Sequence, residues 1–112
     1  MIPAVADPDL VKRFHAAMVE IFHEAKRQVG YNATYFLRMV TDLGGLAAAR
    51  RLLHSPTVSD GFTALWERGR LDLSVEALVL QEHFRGLFTE QDLERARERL
   101  AEYGYRPRST DA

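Results

Sequence analysis

Cysteine is absent from the 112 residues. That excludes disulfides, a thiol nucleophile and a cysteine-ligated zinc site. Lysine is scarce as well: Lys12 and Lys26 are the only two, and every other basic side chain is arginine. Neither sign of charge is in excess, the formal net charge being -1. Sequence-independent attraction to nucleic acid is therefore not built into the whole chain, and only a local basic patch could supply it. No run has the length and apolarity of a membrane span. Asp7 and Asp9 stand where a secretory signal would place basic and then apolar residues, so a cytoplasmic protein with no membrane partner is expected. Also missing are a glycine-rich phosphate loop after a strand, a GxSxG turn, and aspartates at metal-binding spacing. The sequence thus carries no catalytic constellation, and no cofactor or metal is expected.

What is present suits one ordinary core. Apolar residues make up 46% and charged residues 28%, as in a water-facing single domain spanning residues 1–112. Residues 1–6 read as an arm and 106–112 as a flexible tail. Asp7-Pro8 opens a first helix, because the aspartate can accept orphan amides and proline suits the first turn. Leu10, Phe14, Ala17, Met18, Ile21, Phe22, Ala25 and Val29 follow at helical spacing, widened by Val11, until Gly30 stops the helix. A second helix covers 33–42, with Asn32 as cap and Phe36, Met39, Val40 and Leu43 facing inward. The turn is 42–45, and a third helix covers 47–53. Ser59 or Asp60 opens a fourth, with Phe62, Leu65 and Trp66 inward. Asp72 or Ser74 opens a fifth, running through Val75, Leu78 and Val79 to Phe84 or Leu87. Thr89 to Asp92 reads as a capping box for a sixth, with Leu93, Ala96, Leu100 and Tyr103 repeating. The fold class is therefore all-α: a compact bundle of about six short-to-medium helices, the first longest and central.

Three constellations carry the candidate functions. The broad apolar face of the first helix predicts either central burial or sharing with a second subunit. Val11, Met18, Phe22, Ala25 and Val29 are its interaction candidates, for a protein partner or for self-association into a homo-oligomer. Gly44 and Gly45, followed by Arg50 and Arg51 with Arg38 nearby, resemble in outline the glycine turn of helical hairpins that hold a DNA phosphate. Those hairpins usually keep one residue between their glycines, whereas these two are adjacent. Finally, Tyr31, Asn32, Tyr35 and Arg38 at the start of the second helix, with Arg70, Asp72 and Glu76 before and within the fifth, could line a ligand pocket. The alternative for Glu76 is a first-turn glutamate favoured by the helix dipole and paired with arginine. Arg95, Arg97 and Arg99, alternating with Glu94, Glu98 and Glu102, read as a solvated face. His54 reads as a cation at the C-terminal end of the third helix.

The segments Gly30-Tyr31-Asn32-Ala33-Thr34, Gly44-Gly45, Leu52-Leu53-His54, Ser59-Asp60-Gly61-Phe62, Gly69-Arg70-Leu71-Asp72-Leu73, Val75-Glu76 and Leu87-Phe88-Thr89 resemble, in order and spacing, a family of small uncharacterised bacterial helical proteins. The resemblance spans residues 30–105. It implies a free-standing helical module and brings no activity with it. The function expected is a non-catalytic helical interaction module. One alternative is DNA-backbone binding through Gly44, Gly45, Arg50 and Arg51. Another is a small nucleotide-ligand binder or enzyme using Tyr31, Arg38, Arg70 and Glu76.

Overall fold

In the computed structural model, which describes residues 7–106, helix α1 (Pro8–Val29) is the longest element. Its N-terminus forms as the sequence requires: the Asp7 carboxylate accepts the Asp9 amide at 3.0 Å, and Gly30 ends the helix at φ 70°. There follow α2 (Thr34–Leu43), α3 (Gly45–Leu53), α4 (Asp60–Glu67), a 3-10 turn at Leu71–Leu73, α5 (Val75–Val79), a second 3-10 segment at Glu82–Leu87, and α6 (Glu90–Glu102). Among the described residues there is no strand, and the fold is an all-α bundle. The expected arm, 1–6, and all of the expected tail but Arg106 lie outside the described residues.

Two apolar clusters hold the bundle together. The larger joins Phe14 and Met18 of α1 to Val40, Ala48, Ala49 and Leu53, and then to Val75, Leu78, Val79, Phe84, Leu87, Phe88, Leu93 and Ala96. Phe14 meets Phe84 and Phe88 edge-on, each at 5.2 Å between ring centres. The smaller cluster, at the other end of α1, joins Ala25 to Phe62, Leu65, Leu71 and Leu100. The interaction candidates of the first helix take part in the packing of the chain itself to different degrees. Met18, Phe22 and Ala25 are buried, and Val11 and Val29 are half-buried against the two clusters. The breadth of the stripe reflects partners packed on several sides of α1 rather than a free face.

Several local expectations need correction. Asn32 does not cap α2: Ala33 holds the cap position without a side-chain bond, and the Asn32 carbonyl accepts the Thr34 amide. The turn before α3 is one residue, Gly44 at φ 88°, and α3 begins at Gly45 rather than at 47. Leu43 is 41% exposed, and Trp66, expected inward, is 46% exposed with its ring edge-on to Tyr103. The fifth helix stops at Val79 and resumes as a 3-10 segment. Val75 and Phe84 are both buried, but nine residues of uninterrupted helix would set them about 180° apart. Breaking the helix at Leu80 and Gln81 turns both into the same core.

Candidate functional site

A cavity of about 740 Å³ lies between α1, the start of α2, the 54–61 segment and the start of α5. Each wall has a local reason for its position. Ile21, Phe22 and Ala25 form the α1 side, one helical turn apart on the stripe. Gly30 turns the chain back, so that Tyr31, Asn32, Tyr35, Phe36 and Met39 stand opposite. Ser59 starts α4 by accepting the Phe62 amide at 3.1 Å, which sets Gly61, Phe62 and Leu65 along the edge. Ser74 starts α5 by accepting the Ala77 amide while its hydroxyl donates to the Leu71 carbonyl, and this places Glu76 on the cavity wall.

Glu76 is the chemically unusual member. It is only 4% exposed, and its ionic partner is Arg99 of α6, 2% exposed, with Nη1 3.6 Å from Oε2. Burial pushes the Glu76 carboxyl up, and its own amide and Arg99 offset this only in part. Arg70, which precedes Glu76 across the turn, instead grips Asp72 through two bonds of 2.9 and 3.0 Å.

The 54–61 wall is fastened from α6. Arg99 donates to the Leu52 carbonyl at 3.0 Å and to the Ser55 carbonyl at 2.7 Å, and Arg95 donates to Leu53 at 3.2 Å. The His54 imidazole meets Asp92 at 2.6 Å, and Arg50 reaches both Asp92, at 3.3 Å, and the Leu87 carbonyl, at 2.9 Å. Asp92 also completes the capping box of α6 with Thr89. Burial alone would raise the Asp92 carboxyl. The bonds from His54, Thr89 and Arg50 outweigh burial and hold it below the usual carboxylate range.

The ligand-pocket candidates therefore divide. Tyr31, Asn32, Tyr35 and Glu76 line one cavity; Arg38, Arg70 and Asp72 do not line it. The phosphate-turn candidates divide too. The Gly45 amide is spent on His15 Nδ1 at 2.9 Å, and Arg50 is engaged with Asp92 and Leu87. Arg51 lines the cavity, and Arg38 is exposed on α2. The Gly45 amide already serves as a joint between α1 and α3 and is not open to a phosphate. Among the described residues no group of three or more His, Asp or Glu side chains could hold a metal ion.

Arg99, Asp92 and His54 are the positioning residues that periodicity missed. Asp92 and Arg99 are seven apart and so share a face of α6. That face holds few apolar residues, mainly Leu93, Ala96 and Leu100, so its buried stripe had to include charged neighbours. Comparison with protein-family models, curated proteins and solved structures finds no match to this chain.

Asp92 makes a measurable prediction. Its folded carboxyl sits below its unfolded value, so its contribution is fully present above the ordinary aspartate range and is lost as pH falls through the depressed value. Asp92→Ala is expected to cost about 1–2 kcal/mol at pH 7. The difference from wild type should narrow as urea denaturation is repeated at pH values falling below the ordinary aspartate range.

Proposed function

We propose that the protein is a binding module for a small organic molecule, held in the cavity between α1, α2, the 54–61 segment and α5. The observation that carries this reading is the convergence of Tyr31, Asn32, Tyr35 and Glu76, from segments far apart in sequence, on one cavity of about 740 Å³. Small-molecule sites typically enclose about 300–1,000 Å³, with mostly apolar walls and a few placed polar groups. Ile21, Phe36, Met39, Val58 and Leu65 supply such walls here.

The competing readings lose surface or charge. Self-association through α1 would need Met18, Phe22 and Ala25, which are buried in the monomer. A nucleotide would need cations for its phosphates. Arg38 and Arg70 stand off the cavity, and Arg51 shares the lining with Asp60 and Glu76. Among the described residues no helix is long and apolar enough to cross a membrane, which accords with a ligand reached from water.

Gly61 provides the test. A Cβ built there meets only Tyr31 Cε2 at 3.7 Å and Ser59 Oγ at 3.8 Å, both ordinary contacts. Gly61→Leu is therefore expected to fold, with stability changed by no more than about 1 kcal/mol. Its side chain would fill the edge of the cavity. A fragment library screened by ¹⁵N–¹H NMR should yield compounds that shift the amides of Tyr31, Phe36, Val58 and Glu76, and Gly61→Leu should weaken them at least about tenfold, or 1.4 kcal/mol. A library with no such compound, or binders indifferent to Gly61→Leu, would overturn the proposal.

A further inference from the structure

We propose that the cavity takes a small organic cation, an ammonium group on an apolar or aromatic body, with the ammonium at the Glu76 carboxylate; this rests on the reading of the cavity as a ligand site. Four observations converge on it. The first is the charge of the lining. Arg51 and Asp60 cancel in sign, His54 is engaged with Asp92, and of the Glu76–Arg99 ion pair only the acidic member lines the cavity. A carboxylate-bearing or phosphorylated ligand would meet the acidic member of that pair.

The second observation is the geometry of that ion pair. An ionised carboxylate offers roughly four lone-pair sites. Arg99 Nη1 stands 3.6 Å from Oε2, while its shorter bonds go to the Leu52 and Ser55 carbonyls. A ligand N–H donor can therefore bind Glu76 without displacing Arg99 from its carbonyls.

The third is the material of the walls. Phe22, Tyr31, Phe36 and Phe62 are among the lining residues; Tyr35 also lines the cavity but is 77% exposed. Ring faces attract cations, most strongly where water is excluded. Tyr31 already carries one, the Arg68 guanidinium at 5.8 Å from its ring centre. The fourth is energetic. Burial of Glu76 outweighs the help it receives from Arg99, so its charged form is under-compensated and gains from a second cation.

Three probes matched in length decide the matter: 4-phenylbutylamine, 4-phenylbutan-1-ol and 4-phenylbutanoate, titrated against wild type and Glu76→Gln while the cavity amides are followed by NMR. The amine is expected to bind wild type about tenfold or more tighter than the alcohol, and the carboxylate more weakly than either. Glu76→Gln should abolish the amine's advantage and leave the alcohol within about twofold. If Glu76→Gln does not fold, the wild-type ranking alone decides. An alcohol or carboxylate that binds as tightly as the amine, or an amine preference that survives Glu76→Gln, overturns the cation assignment. The cavity reading then still stands, provided those probes remain sensitive to Gly61→Leu. No shift of the cavity amides by any of the three overturns both.

Discussion

Replacing Arg99 with methionine is expected to destabilise the protein by about 3–5 kcal/mol at neutral pH. Methionine roughly fills the space, so the loss is electrostatic. Arg99 is 2% exposed and has three partners, the Glu76 carboxylate and the carbonyls of Leu52 and Ser55. Without it, a carboxylate that is 4% exposed loses its ion-pair partner, and two carbonyls lose their donors. A domain of this size has only about 5–15 kcal/mol in total, so the variant should lie near the limit of folding. Its midpoint should fall by roughly 4–8 °C for each kcal/mol lost.

The pH dependence identifies the mechanism. The folded carboxyl of Glu76 lies above its unfolded value, raised by burial. Such a group binds more protons when folded, so stability falls as pH rises from the ordinary glutamate range through the raised value. Removing Arg99 raises that value further and widens the window. The Arg99→Met deficit should therefore be largest at pH 7.5 and smaller at pH 5, where Glu76 can neutralise itself. Adding Glu76→Leu should recover most of the loss at pH 7.5, leaving the share due to the two carbonyls. A deficit equal at both pH values and indifferent to Glu76→Leu would mean that the ion pair is not what Arg99 supports.

The parts of this fold that were legible in the sequence are those governed by neighbours along the chain. Asp7, Ser59, Ser74 and Thr89 all cap helices, because a cap needs only its own amides two or three residues on. The stripe of α1 was legible in position but not in purpose, since periodicity cannot distinguish a buried axis from a shared face. The break after Val79 was hidden because it answers to the core, where Val75 and Phe84 must turn the same way. For the site, Glu76 could be proposed as a carboxylate in an apolar stretch and Tyr31, Asn32 and Tyr35, with Arg38, as a stacking and hydrogen-bonding cluster; all but Arg38 line one cavity. Arg70 is near Glu76 in sequence, but the partner is Arg99, brought from α6 by tertiary packing. The alternating charges of 94–102 disguised it, because the seven-residue spacing from Asp92 was the only local sign of burial.

Gly45→Ala is expected to cost about 3 kcal/mol, against a helix propensity that favours alanine by about 1 kcal/mol. A Cβ at this position would stand 2.7 Å from the Cα of His15 and 3.3 Å from Met18 Cγ. The first of those atoms is backbone and cannot swing aside, so α1 and α3 must move apart. The separation would also stretch the bond from the Gly45 amide to His15 Nδ1, now 2.9 Å, which gives the first turn of α3 its acceptor. Gly44 is required for a different reason. At φ 88° and ψ 152° it occupies backbone space open essentially to glycine alone, while a Cβ there would meet nothing within 4 Å. Gly44→Ala should therefore cost about 1–3 kcal/mol through strain, yet leave the α1–α3 crossing in place. Imidazole ¹⁵N shifts separate the two. Because Nδ1 accepts from Gly45, neutral His15 carries its proton on Nε2, and that tautomer should persist in Gly44→Ala and become mixed in Gly45→Ala. A Gly45→Ala protein with wild-type stability and an unchanged tautomer would show that the crossing relaxes freely, and the close approach at His15 would then have no part in fixing where the cavity walls stand.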